Sequence, residues 1–154
     1  MPYNANREIA HKESEIDIAN FYINDIEKKD PSSKWTMEDL PHSYIVDRMV
    51  LKNGTRHHYV EIKNRNHLPT TYDTLFISDR KYLWCNLYKK FHKVPVVILV
   101  RYADNSVWCH KVRKNNYDVR FIRTKRLGGN TDNTMDHEPM ISIPIKDFVK
   151  MGGA

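Results

Sequence analysis

Asn53-Gly54 lies between two apolar runs, residues 44–51 and 56–63, and this pairing constrains the fold more than any other stretch of the chain. Asn-Gly favours the positive φ angles of a tight reversal, so β-favouring runs on either side of it predict an antiparallel hairpin. The second run, Tyr59-Val60-Glu61-Ile62-Lys63, carries a carboxylate and an ammonium two residues apart. Alternate residues of a strand share a face, so Glu61 and Lys63 project together while Val60 and Ile62 point the other way, into a core. The first run, from Tyr44 to Leu51, holds an acid of its own, Asp47. Opposite charges set into apolar strands pair or do chemistry. Two carboxylates sharing a divalent metal beside a lysine make a usual arrangement for attacking a phosphodiester with water.

Register decides whether the acids can meet. With a plain two-residue loop, Asp47 opposes Val60 and Glu61 points to the other face. An odd loop (Asn53-Gly54-Thr55) or a bulge brings both carboxylates to one face. The chemical reading therefore requires an irregularity in this hairpin. Given one, Asp47 and Glu61 are the expected metal ligands, with the Ile62 carbonyl as a third and Lys63 on the water or the scissile phosphate. Hard oxygen donors suit Mg²⁺ or Mn²⁺. The rival reading is a cross-strand salt bridge near a sheet edge. Other acid-x-base patterns, at Glu27-Lys28-Lys29 and Asp79-Arg80-Lys81, fall on expected helices, where residues two apart face away from each other.

The rest of the chain supplies helices and strands around the hairpin. Ile9, Ile16, Ala19, Ile23 and Ile26 mark one helical face over residues 8–29, stopped by Asp30-Pro31. Glu15 falls in that stripe and is the expected helix-borne acid, with Glu8 and Glu13 at or beside its borders. A short strand is expected around Trp35, and a polar loop over residues 64–77. Ser78 is a plausible N-cap for a helix to about His92 with Trp84, Leu87, Tyr88 and Phe91 on one face. Lys81 stands in its first turn, where the helix dipole disfavours a cation and a phosphate would help. The continuous apolar run 94–102 reads as a strand buried on both faces. Strands follow at 107–112, 117–122 and 140–145, with a long polar loop over 126–137 and a short terminal helix around 147–151. The order is that of a single α/β (α+β) domain.

Charge is distributed unevenly. Residues 1–47 hold ten acids and five bases, whereas residues 80–126 hold thirteen bases and two acids. Bases of this density, interleaved with Tyr, Trp and Phe, point to a phosphate backbone as partner. Arg65, Arg80, Lys81, Lys89, Lys90, Arg120, Arg123, Lys125 and Arg126 are the expected DNA contacts. The opening residues are polar, no run approaches a membrane span, and Cys85 and Cys109 lack metal-site spacing, so a cytoplasmic protein without membrane contact is expected.

The run Val46-Asp47, Val60-Glu61-Ile62-Lys63-Asn64-Arg65, then the 78–92 helix and the 94–102 strand, resembles the PD-(D/E)XK nuclease superfamily. Its small members include Holliday-junction resolvases and phage or mobile-element nucleases. The resemblance implies a restriction-endonuclease-like core over about residues 8–112, a mixed central sheet with a helix on either side, followed by a C-terminal extension, 113–154. It also implies Asp47 and Glu61 as metal ligands, Lys63 as the catalytic lysine and Glu15 as the acid on the first helix. The expected activity is that of a Mg²⁺-dependent DNA endonuclease, with branched or recombination intermediates as candidate substrates. Two rivals stand beside it: a non-catalytic nucleic-acid-binding module with a degenerate nuclease fold, and a protein-interaction factor. Whether a homodimer forms is left open, though cutting two strands takes two sites.

Overall fold

The computed structural model describes residues 5–114, 116–123 and 137–152. In chain order the first elements are α1 (Ala5–Lys29), β1 (Trp35–Asp39), β2 (Arg48–Lys52), β3 (Thr55–Asn64) and β4 (Thr74–Ser78). They are followed by α2 (Asp79–His92), β5 (Val96–Arg101), β6 (Val107–Lys111), β7 (Asp118–Arg123), β8 (His137–Pro144) and β9 (Val149–Lys150).

Strands β2 and β3 form the expected hairpin, with Asn53 and Gly54 both at positive φ. Lys52 opposes Thr55 and Leu51 opposes Arg56, but Val50 opposes His58, so His57 is an extra residue on β3. This bulge moves the register by one, so that Arg48 opposes Val60; Asp47, just before the ladder, bonds its amide to the Val60 carbonyl. The bulge is held by side chains. Nδ1 of His57 lies 2.7 Å from Nδ1 of His58, and the other His58 nitrogen is 2.7 Å from the Tyr22 hydroxyl on α1. The Trp35 ring meets the His57 ring nearly edge-on, 4.9 Å between centroids.

The hairpin belongs to a six-stranded mixed sheet of order β1-β2-β3-β5-β6-β9. Only β3 and β5 run parallel, joined by a crossover through β4 and α2. All five residues from Val96 to Val100 are buried, as a strand covered on both faces must be. On one face α1 packs Ile18, Ala19 and Tyr22 against Trp35, Val50, Val60, Ile62, Val97 and Leu99. On the other, α2 packs Tyr82 and Cys85 against Tyr59, Val96, Ile98 and Val100. Ser78 caps α2, its hydroxyl accepting from the Lys81 amide. This is the expected α+β architecture: one domain, a mixed central sheet and a helix on each face.

A second, three-stranded sheet of order β4-β8-β7 was not foreseen. Residues 64–77 are therefore not loop throughout: Leu75 and Ile77 alternate inward on β4 and join Ile141 and Ile143 of β8 in the α2-side core. The expected strand over 43–51 begins only at Arg48. Before it the backbone bonds locally, Tyr44 N–H to Pro41 carbonyl and Leu40 N–H to Asp47 carbonyl, so Val46 reaches the core from a bend. The expected terminal helix is a 3-10 turn, Ile145–Asp147, followed by β9 on the sheet edge, because Phe148 turns into the core. On α1, Ile16 is exposed and Ile18 takes the buried position instead. The side chain of Ile9 and the loop at 126–136 lie outside the described residues.

Candidate active site

Glu61 is 1% exposed, on the α2 face of the central sheet. A buried carboxylate loses several kcal/mol of hydration unless cations or hydrogen bonds replace it. Two ammoniums do so here. Lys63, next on the same face of β3, places Nζ 2.8 Å from Oε1, and Lys81, from the first turn of α2, contacts the same oxygen. The second oxygen, Oε2, is buried without a hydrogen-bond partner. Burial pushes the Glu61 carboxyl above its usual range, opposed by the Lys63 and Lys81 ammoniums and aided by the charge of Asp47. For Lys81, burial lowers the pKa, but the Glu61 carboxylate outweighs it and the ammonium ends above its ordinary value.

Asp47 stands one residue before β2. Its amide donates to the Val60 carbonyl over 3.1 Å, and its Oδ2 accepts from the Ile62 amide at 2.8 Å. Both bonds hold Asp47 to β3 just beyond the last ladder pair, Arg48 with Val60. The Ile62 group in contact with Asp47 is thus its N–H, and its side chain is buried on the α1 face.

Asp47 and Lys81 open onto a cleft of about 410 Å³, walled by Glu15 and Ile16 of α1 and by the 39–48 segment. Glu15 pairs with His11 at 3.3 Å along the helix. The residue before it moors α1 to the sheet: Arg101 donates to the Ser14 hydroxyl, which donates in turn to Asn64 Oδ1 at 3.3 Å. Arg48 of the cleft pairs with Asp39 at 2.7 Å. The fold therefore gathers Asp47, Glu61, Lys63 and Lys81, with Glu15 on the cleft wall. Among the described residues, no three His, Cys, Asp or Glu side chains already converge as a cation cage. Two neighbouring carboxylates, one with a bare buried oxygen, are nonetheless the donors that a hard divalent cation takes.

The expected DNA contacts scatter. Lys81 is turned onto Glu61 at the edge of the cleft. Arg65 gives its guanidinium to the Asn64 and Phe76 carbonyls at 3.1 and 3.2 Å, a structural use. Lys89 reaches the Val112 carbonyl at 3.5 Å. Arg80, Lys90 and Arg120 are exposed, Arg123 lies on β7, and Lys125 and Arg126 fall outside the described residues. A separate cavity of about 580 Å³, between α2 and the second sheet, contains neither Asp47 nor Glu61. The place of Lys81 was the main miss. Its one sequence signal was a cation in the first turn of a helix, where only a nearby anion makes it favourable.

Residues 9–151 match the family described as "Phage putative PDDEXK endonuclease". No curated protein and no solved structure matches the chain.

Proposed function

Since the chain belongs to this phage PDDEXK endonuclease family, we propose that it hydrolyses DNA phosphodiesters at the cleft lined by Asp47 and Lys81, beside Glu61 and Lys63. The single observation that carries the reading is the buried Glu61 carboxylate, clasped at one oxygen and bare at the other, with the charge of Asp47 close enough to act on it. Mg²⁺ or Mn²⁺, held by Asp47 and Glu61, would supply an acidified water and a counter-charge for the phosphate. The residues do the rest. Asp47 is fixed by the Ile62 amide, so its carboxylate needs little rearrangement. Lys63 is about a quarter exposed while paired with Glu61, so its ammonium can also meet water or a phosphate oxygen. Glu15 contributes from the cleft wall. Arg80, Lys90 and Arg120, all exposed, track the DNA backbone.

Branched or recombination intermediates are the substrates we would try first, and a homodimer is the form that would cut two strands. We place the activity in the cytoplasm, where the free thiols Cys85 and Cys109 stay reduced. No described helix is long and apolar enough to cross a membrane. The deciding experiment is cleavage of linear and branched DNAs with Mg²⁺ by the full chain, Lys63→Ala and Glu61→Ala. Both variants should lose cleavage by at least ~100-fold while Lys63→Ala keeps its DNA binding. Unchanged cleavage by either removes the mechanism. The lack of a third convergent acid among the described residues favours the rival, a non-catalytic DNA-binding module. That rival predicts no thermal stabilisation by Mn²⁺.

A further inference from the structure

The arrangement around Glu61 is already neutral before any metal arrives. Asp47 and Glu61 bring two negative charges, Lys63 and Lys81 two positive ones, and both ammoniums crowd the same oxygen. A divalent cation entering here meets two ammoniums at close range, and a site shielded from water weakens that repulsion little. One of the two must yield. Both carry the same four-carbon stem, but Lys63 springs from the strand of Glu61 itself, whereas Lys81 reaches over from another element, α2. Lys81 is also the ammonium that lines the open cleft, together with Asp47 and Glu15.

We infer that Lys81 is a placeholder cation: its ammonium occupies the Glu61 carboxylate until a divalent metal takes it, and then turns to the substrate phosphate. The inference rests on the nuclease reading and adds a role for a residue on α2. It explains the shared oxygen, since one lysine would be enough for a permanent salt bridge. It also gives a reason for a lysine in the first turn of α2, against the helix dipole. The exchange involves no covalent change. Lys81 leaves Glu61 Oε1 as a cation and meets the phosphate as a cation.

Two readouts test it on the full chain. Mn²⁺ affinity, measured without DNA by the electron paramagnetic resonance of free Mn²⁺, should rise about tenfold in Lys81→Met, since a competing charge is gone. Lys81→Gln keeps a donor for Glu61 and drops only the charge, so it should show the same gain if Lys81→Met folds poorly. Lys81→Arg should bind Mn²⁺ as the parent does. With Mn²⁺ saturating, the neutral variants should cleave DNA at least ~10-fold more slowly than the parent, because the phosphate has lost a cation. Equal or weaker Mn²⁺ binding by both neutral variants overturns the placeholder, and undiminished cleavage by them overturns the move to phosphate. A Glu61→Gln arm separates this from the reading beneath it. Mn²⁺ taken up by the parent and lost in Glu61→Gln upholds the metal site whatever Lys81 does, while no uptake by any variant removes both.

Discussion

Asp47 shows how one side chain can serve the fold and the chemistry through different atoms. One carboxylate oxygen accepts from the Ile62 amide and so helps hold the mouth of β2 against β3. Asparagine has a carbonyl that can make the same bond, so Asp47→Asn should melt within about 2 °C of the parent without metal. The stabilisation by Mn²⁺ at 100 times its dissociation constant, about 2.7 kcal/mol for the parent, should vanish. Melting curves with and without Mn²⁺ check both halves. Asp47, Glu61 and Lys63 were legible in the sequence because strand alternation is a strict rule and all three lie on or beside an apolar strand. Lys81 was not. Its inward placement depends on which face of α2 is buried, and the aromatic residues pointed to the wrong one. Trp84 and Phe91 are 41% and 72% exposed, whereas Tyr82 and Cys85 face the sheet.

Among the elements, the bulged hairpin carries the most consequence. Register arithmetic in the sequence demanded an odd loop or a bulge but could not choose between them, because that choice is made by packing. Here the turn keeps two residues and His57 is the extra one, clamped through His58 to Tyr22 of a helix distant in sequence. His58 is buried in this geometry, and burial disfavours its charged form. Burial, then the neighbouring charges of His57 and Lys111, lowers its pKa from 6.5 to about 4. The unfolded chain therefore binds this proton near pH 6.5 and the folded chain only near pH 4. Stability from His58 is complete above pH 6.5 and is lost as pH falls toward 4, about 3 kcal/mol at most. Urea titrations at pH 7, 5.5 and 4 should show that loss, and His58→Gln should flatten it. The strand expected over 43–51 is shorter for a related reason. The first half of that apolar run buries Val46 from a bend that bonds to itself.

For the whole molecule, class and element order were readable from periodicity, whereas the second sheet was not, since it joins β4 to β8 across more than sixty positions of sequence. The two sheets share one core, where Ile143 packs with Val96, Ile98 and Val100. Ile143→Ala should therefore cost 2–5 kcal/mol, on the order found for large-to-small core changes. It should do so in one cooperative unfolding transition; a separate early melting of the β4-β8-β7 sheet would contradict the shared core. DNA affinity should be strongly salt-dependent, and Arg120→Ala should reduce the slope of log affinity against log salt by about 0.9. The bulge at His57 also has a meaning at this scale. It acts as a frameshift in space: losing that single codon would leave Asp47, Glu61 and Lys63 in the chain, yet turn β2 over by one residue against β3. The neighbourhood of the carboxylates would go with it, and the chain would keep its whole signature without its reaction centre.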